Sequence, residues 1–235
     1  MKAMILAAGR GKRMRHLTDS MPKPLIKLWG RPLIEWQILA LKKAGFKDIV
    51  VNVAYCADKL LEYLGDGSKY GVRLTFSIEG YTHEESLETR GGIVKALDKL
   101  VEQNSSEPFV VVSGDIVTDF PYESLKSSAN KIAEGHAKAH LVLVPNPSYH
   151  EGGDMDLEKG HITRQQKQYT YGNIAVFSPS IFKDIPSTKT PLFPWLYDFV
   201  DQGLITGEIY EGNWANVGTP EELEKFEKLP PYCYE

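Results

Sequence analysis

From Leu6 to Leu25 the chain reads Leu-Ala-Ala-Gly-Arg-Gly-Lys-Arg-Met-Arg-His-Leu-Thr-Asp-Ser-Met-Pro-Lys-Pro-Leu, and no other stretch constrains the fold as much. The apolar run 3–8 suits one buried strand, which must end where Gly9 and Gly11 interrupt it. Glycine leaves backbone N–H groups uncovered, so the chain can approach phosphate oxygens closely. Cations stand at Arg10, Lys12, Arg13 and Arg15, which makes the turn a cradle for a polyphosphate. Lys23 lies between Pro22 and Pro24, which restrict the backbone on both sides of it and aim one ammonium group. Two common phosphate motifs do not fit. A dinucleotide fingerprint needs a third glycine where Met14 stands, and a Walker A loop needs Gly-Lys-Ser/Thr after four intervening residues.

The remainder alternates strand and helix. Pro32 opens a helix whose apolar face runs through Leu33, Ile34, Trp36, Ile38, Leu39 and Leu41 and closes at Ala44-Gly45. A buried strand over 48–54, a helix over 57–64, a turn-rich loop over 65–71 and a strand over 72–78 follow. This rhythm predicts a mostly parallel sheet flanked by helices, an α/β fold. Thr89 reads as the N-cap of a helix running to Val101, with Gly91 and Gly92 exposing N–H groups at its positive end. In Pro108-Phe-Val-Val-Val-Ser-Gly-Asp115 four apolar residues make a central strand. Asp115 falls just past its carboxyl end, where open parallel sheets bind ligands. A polar helix over 121–134 and a strand over 139–144 complete the first part. Strands over 160–164 and 171–178 then suggest a smaller β-rich lobe, and a helix runs from Thr190 through Val200. The last helix begins at Thr219, with Pro220 at its first position and Glu222 completing a capping box.

These motifs resemble the sugar-1-phosphate nucleotidyltransferase family along nearly the whole chain. The matching residues are Leu-Ala-Ala-Gly-x-Gly-x-Arg-Met, Pro-Lys-Pro-Leu, Gly-Asp-Gly-Ser, Glu-Thr-x-Gly-Gly-Ile, the Gly-Asp at 114–115 and Trp-x-x-Val-Gly-Thr-Pro at 214–220. The resemblance implies a Rossmann-like sheet in a single domain. Its nucleotide-binding core would span about 1–145, and a sugar-binding lobe with a closing helix about 146–235. It implies that Ala7, Ala8, Gly9, Gly11, Arg13, Lys23, Glu79, Thr89, Gly91 and Gly92 bind nucleotide, with Arg13 and Lys23 catalytic. Asp154, Lys167 and Asn173 would meet the sugar phosphate, and Asp115 with Asn216 would hold Mg²⁺, a cation that takes one or two carboxylates plus phosphate oxygens. Three positions depart from the family pattern. Arg90 replaces a small residue and either folds outward to solvent or reaches phosphate; Gln166-Lys167 lacks the usual acid; Asn216 stands where many relatives carry a second carboxylate. The loop over 81–86 is also longer. Within the family the subgroup implied is the uridylyltransferases acting on N-acetylmuramate 1-phosphate, in peptidoglycan recycling. The alternatives are mannose-, glucose- or heptose-phosphate nucleotidyltransferases, or a nucleotide-sugar-binding regulator without activity. The presence of Lys23, Arg13 and Asp115 argues for an enzyme.

Composition narrows the partners. With 42% hydrophobic and 25% charged residues the chain is ordinary for a folded globular protein. A formal net charge of -4 disfavours a nucleic-acid surface, so the cationic turn is a local site for a small anion, here a nucleoside triphosphate with a sugar 1-phosphate. No stretch reads as a signal peptide or a membrane span, and a cytoplasmic monomer or small homo-oligomer is expected. Cys56 and Cys233 are read as free thiols, and Asn104-Ser-Ser as a sequon without meaning in that compartment. No hexapeptide repeat follows, so a fused acyltransferase is not expected.

Overall fold

A computed structural model describes residues 1–103 and 105–232; the sequon asparagine Asn104 and the thiol of Cys233 lie outside the described residues. In chain order the strands are β1 (Ala3–Leu6), β2 (Lys27–Leu28), β3 (Arg31–Pro32), β4 (Asp48–Val53), β5 (Arg73–Ile78), β6 (Phe109–Ser113), β7 (Ile116–Thr118), β8 (Ala139–Pro145), β9 (Asp156–Glu158), β10 (His161–Thr163), β11 (Tyr169–Phe177), β12 (Ile205–Ile209) and β13 (Trp214–Asn216). The helices are α1 (Leu33–Lys43), α2 (Ala57–Leu64), α3 (Glu88–Leu100), α4 (Leu125–Ala133), α5 (Tyr197–Asp201) and α6 (Pro220–Glu227).

Nine strands form one sheet in the order β5-β4-β1-β6-β11-β8-β12-β10-β9. Among the described residues β10 and β11 run against the rest, so the sheet is mixed but mostly parallel, as the βαβ rhythm requires. β1 lies between β4 and β6 and parallel to both, with Leu6 opposite Asn52 and Ser113. The chain builds β4 and β5 on one side of β1 and then crosses to β6 on the other. That reversal opens a crevice beyond the carboxyl ends of β1 and β6, and both the cationic turn and Asp115 lead out into it. Two large apolar clusters cover the faces of the sheet, one under α1, α2 and α4 and one under α3 and the segment around Phe182 and Leu196. A third cluster joins the two ends of the chain: Met14, Leu28, Leu33 and Trp36 pack with Val117, Ala215 and Val217, with Leu223 and Phe226 of α6 against them. Met14, which breaks the dinucleotide fingerprint, is thus the fully buried anchor of the cationic turn.

Three placements differ from the sequence reading. The strand read over 171–178, expected in the smaller β-rich lobe, is β11, which sits in the middle of the main sheet, antiparallel to β6 and β8. Ile174 through Phe177 are all fully buried, which requires cover on both faces, and β11 satisfies the backbone of β6, which would otherwise lie at an edge. The helix read from Thr190 is confined to Tyr197–Asp201, because Pro194 lies in its path and has no N–H to donate. Thr89 is not the N-cap of α3. Leu87 occupies the cap without a side-chain bond, and the Thr190 carbonyl accepts from the N–H groups of Arg90 and Gly91 instead. The capping box of α6 forms as read, with Thr219 and Glu222 bonding reciprocally. Among the described residues no helix is long and apolar enough to cross a membrane.

Candidate active site

The turn after β1 is held from below. The Ala7 N–H donates to Asn52 Oδ1 at 2.8 Å, Asn52 Nδ2 donates to Glu79 Oε1 at 2.7 Å, and Glu79 Oε2 accepts from the Leu87 N–H at 2.7 Å. Burial pushes the Glu79 carboxyl above its ordinary range, against the hydrogen bonds from Leu87 and Asn52. Glu79 therefore supports the site through Asn52. Gly11 is glycine for two reasons. Its φ of +66° is left-handed, and a Cβ there would stand 2.8 Å from Lys23 Cβ, in the path of the lysine stem. A Cβ on Gly9 would meet no protein atom within 4 Å, so the backbone there faces open space.

Lys23 reaches Asp115, with its Nζ 2.5 Å from Oδ2, while Ser113 Oγ donates to Oδ1 at 2.6 Å. Burial opposes ionisation of Asp115, yet the Lys23 charge and the two hydrogen bonds outweigh it and hold the carboxyl below the usual range. Asn216 is brought beside Asp115 by a small antiparallel ribbon in which β13 pairs with β7, Asn216 opposite Ile116, and the Val217 N–H donates to the Asp115 carbonyl. Asn216 Oδ1 is buried and has no hydrogen-bond partner in the protein. Arg13 arches over Gly218, where a Cβ would lie 3.0 Å from its guanidinium.

These groups line two adjoining cavities. The larger, about 720 Å³, holds Ala7, Ala8, Gly9, Gly11, Arg13, Lys23, Thr89, Asp115 and Asn173 among its walls. The smaller, about 310 Å³, is lined by Arg13, Asp154, Asn173 and Asn216 together with Tyr149 and His150. Asn173 serves both because the β8–β11 register shifts between Tyr171 and Ala175, where a bulge re-aims side chains. Asp154 is oriented by His150 Nε2 at 2.8 Å and by the Tyr171 N–H at 2.9 Å.

Four expected binding residues line neither cavity: Glu79, Gly91, Gly92 and Lys167. Gly91 and Gly92 answer to packing, since a Cβ would come within 2.1 Å of the Thr188 carbonyl in the first case and 2.5 Å of Glu79 Oε1 in the second. Lys167 is exposed, and the backbone N–H groups of Gln166, Lys167 and Gln168 are spent on Asp156 at 2.7, 3.0 and 2.9 Å. Arg90 takes neither course considered for it. Its guanidinium lies over the Trp195 ring, 5.2 Å from the centroid, and its Nε donates to Thr190 Oγ1 at 3.2 Å. Asn52 and Ser113 were missed, although a lone asparagine inside Ile-Val-Val-Asn-Val and a serine just before Gly-Asp are polar interruptions of buried strands.

Comparison with known proteins places this geometry. The nucleotidyl transferase family model matches residues 2–170. The N-acetylmuramate alpha-1-phosphate uridylyltransferase of Neisseria meningitidis serogroup B is 39% identical over 234 residues, covering 97% of this chain and 98% of that protein. The mannose-1-phosphate guanyltransferase beta-A of Xenopus laevis is 30% identical over 238 residues, and the aligned part is 62% of its length. In structure, HddC of Yersinia pseudotuberculosis, solved with GMP-PN, superposes with a TM-score of 0.77 at 22% identity, covering 97% of this chain and 98% of that one, a likeness of fold. A glycine-containing cationic turn at the switch point of such a sheet, matched by the family model and by a relative aligned end to end, leads to one conclusion: the chain belongs to the nucleotidyltransferase family.

Proposed function

We propose that the protein joins a nucleoside triphosphate to a sugar 1-phosphate, releasing pyrophosphate, and that its substrates are UTP and N-acetylmuramate 1-phosphate. The observation that carries the substrate choice is the 39% identity to a uridylyltransferase of that specificity over nearly both full lengths. The two cavities suit the division of labour, with the larger for the nucleotide and the smaller for the sugar, meeting at Arg13, Tyr171 and Asn173. A sugar-phosphate oxygen attacks the α-phosphorus in line, the bond to the β-phosphate breaks, and no covalent protein intermediate is required. The backbone at Gly9 and Gly11 and the Arg13 guanidinium hold the leaving phosphates. Lys23, aimed by its prolines, neutralises charge growing on the α-phosphate. This is catalysis by positioning and by preorganised charge.

The donors present fit a divalent cation. Among the described residues no cluster of three or more His, Cys, Asp or Glu side chains could hold one unaided, but Asp115 and the partnerless Asn216 Oδ1 together offer one charged and one neutral oxygen. Mg²⁺ prefers such a sparse set completed by phosphates and water. When bound, the cation held by Asp115 and Asn216 would supply neutralisation of phosphate charge. A cytoplasmic setting goes with this reading. The test is pyrophosphate release over four nucleoside triphosphates crossed with a panel of sugar 1-phosphates, with UTP and N-acetylmuramate 1-phosphate expected as the best pair. GTP with mannose 1-phosphate winning would transfer the protein to the guanylyltransferase reading that the Xenopus relative represents. No activity on any pair would favour a binding regulator.

A further inference from the structure

The hydrogen bonds that hold the cradle from below do not stop at its support. They run from the Ala7 N–H through the Asn52 amide and the Glu79 carboxylate to the Leu87 N–H at the cap of α3, over 2.8, 2.7 and 2.7 Å. The Leu87 carbonyl then accepts from the Thr190 N–H at 2.9 Å. Thr190 leads directly into Pro191, Leu192 and Phe193, which line the larger cavity together with Ala7 and Asn52. One line of bonds thus joins two parts of the cavity wall that are remote in sequence. Its middle members are fixed. Asn52 is buried on β4 opposite Leu6, and the Glu79 N–H donates to the Val53 carbonyl at 2.8 Å. The first turn of α3 is seated on both side chains, since a Cβ on Gly92 would stand 2.5 Å from Glu79 Oε1 and 2.9 Å from Asn52 Nδ2.

The polarity of the line is determined by its ends. Ala7 and Leu87 both present backbone donors, so each needs an acceptor. Asn52 Oδ1 accepts from Ala7, Asn52 Nδ2 donates to Glu79 Oε1, and Glu79 Oε2 accepts from Leu87, which leaves no group of the line unpaired. Only two orders of one amide and one carboxylate achieve this, and the other has the carboxylate at 52 and the amide at 79. Two amides would leave a buried donor without an acceptor, which is costly. The Ala7 peptide is where β1 passes into the turn, so its orientation sets where the N–H groups that follow it point. Charge on a leaving phosphate grows in the transition state, and misdirected donors cost most there. We propose that Asn52 and Glu79 are positioning residues for nucleotidyl transfer, which act through the Ala7 peptide and keep the cradle in place relative to the segment from Pro191 to Phe193. This rests on reading the cavity as the nucleotide site of a transferase.

The test compares the parent with Glu79→Gln and with the double variant Asn52→Asp/Glu79→Gln, both close to the parent in shape. In Glu79→Gln two amides lie between two backbone donors, and one donor stays unpaired whichever way the amides turn. In the double variant the order is reversed but complete: the aspartate accepts from Ala7 and from the glutamine amide, whose oxygen accepts from Leu87. Steady-state kinetics uses the nucleoside triphosphate and sugar 1-phosphate that the parent turns over best, with Tm recorded for each protein. Glu79→Gln is expected to lose between about tenfold and about a hundredfold in kcat, the range reached by misplacement from a change remote from the chemistry, with KM for the nucleotide changed by less. The double variant should regain most of that kcat. A Glu79→Gln protein that melts earlier yet keeps the parental kcat would reduce the line to a brace of the fold and overturn the inference. So would a loss confined to KM, or a folded double variant whose kcat stays about tenfold or more below the parent's, a measurement that does not need the single variant to fold. A parent inactive on every pair removes the functional reading and this one together. A working parent with an indifferent Glu79→Gln removes this one alone.

Discussion

Lys23 is paired with Asp115 at 2.5 Å, so two residues far apart in sequence share one charge-neutral contact at the mouth of β1 and β6. Replacing either by alanine should lower turnover by roughly 10²–10³, the scale of losing one donor to a transition-state oxyanion, while circular dichroism stays native. Full activity of Lys23→Ala would remove the lysine from the mechanism. Asn216 leads to a different measurement. If Asp115 and Asn216 hold the cation as proposed, one carboxylate and one amide oxygen would bind it weakly without substrate, so Mg²⁺ affinity should depend on added nucleotide. Asn216→Asp adds a unit charge beside Asp115 and should tighten Mg²⁺ binding in the absence of nucleotide, an attraction that persists even at high effective dielectric. Calorimetry on both proteins decides. An aspartate variant no tighter than the parent would leave Asn216 as a structural residue of the ribbon, its buried Oδ1 then without explanation.

At the scale of elements, the loop between β10 and β11 shows how a motif can be present and turned elsewhere. Asp156 of β9 gathers the N–H groups of Gln166, Lys167 and Gln168, and Lys167 adopts a left-handed φ of 58° to let them converge. Burial opposes ionisation of Asp156, but these backbone donors prevail and hold its carboxyl below the usual range. A carboxyl whose folded pKa is depressed stabilises the fold above its unfolded pKa, about 3.9, and loses that contribution as pH falls through the folded value. Asp156→Asn should therefore melt below the parent at pH 7, and the gap in Tm should narrow progressively below pH ~4. A gap independent of pH would mean that the ionised form contributes nothing. Lys167→Ala, with its side chain exposed outside both cavities, should leave the KM for sugar phosphate within twofold, roughly the ±0.5 kcal/mol typical of surface changes.

The whole molecule closes around the site from both ends of the chain. The cradle after β1, Asn173 of β11, Pro191 to Phe193 of the strap beside α3, and Gly218 before α6 all face the larger cavity. The strap is tied to α3 through Thr190, whose carbonyl caps the helix and whose hydroxyl meets Arg90. A ligand touching all of these stabilises the folded state as a unit. Nucleoside triphosphate with Mg²⁺ at a hundred times its Kd should add about 2.7 kcal/mol, or about 5–10 °C in Tm for a chain this long. Scanning calorimetry should find that shift in the parent and a smaller one in Lys23→Ala; equal shifts in both would separate ligand binding from the lysine.

Much of this was legible in one dimension because it depends on local backbone chemistry. The cradle of Gly9 and Gly11, the proline-flanked Lys23, the apolar strand ending at Asp115, α2 and the capping box of α6 are each set by neighbours within a few residues. The alternation of strand and helix was enough for a mostly parallel sheet, since parallel strands need crossovers of that length. Other features depend on which distant segments meet, and periodicity carries no record of that. β11 became a central strand because β6 needed a partner on its open side, and the cap of α3 came from Thr190 because no side chain at Leu87 could supply it. Gly91 and Gly92 read as ligand-facing but serve close packing, and Arg90 found a ring to lie on. Local sequence determined what each segment can do. Tertiary contact decided which backbone donors and buried polar atoms were already satisfied by the protein, and so which remained for a ligand.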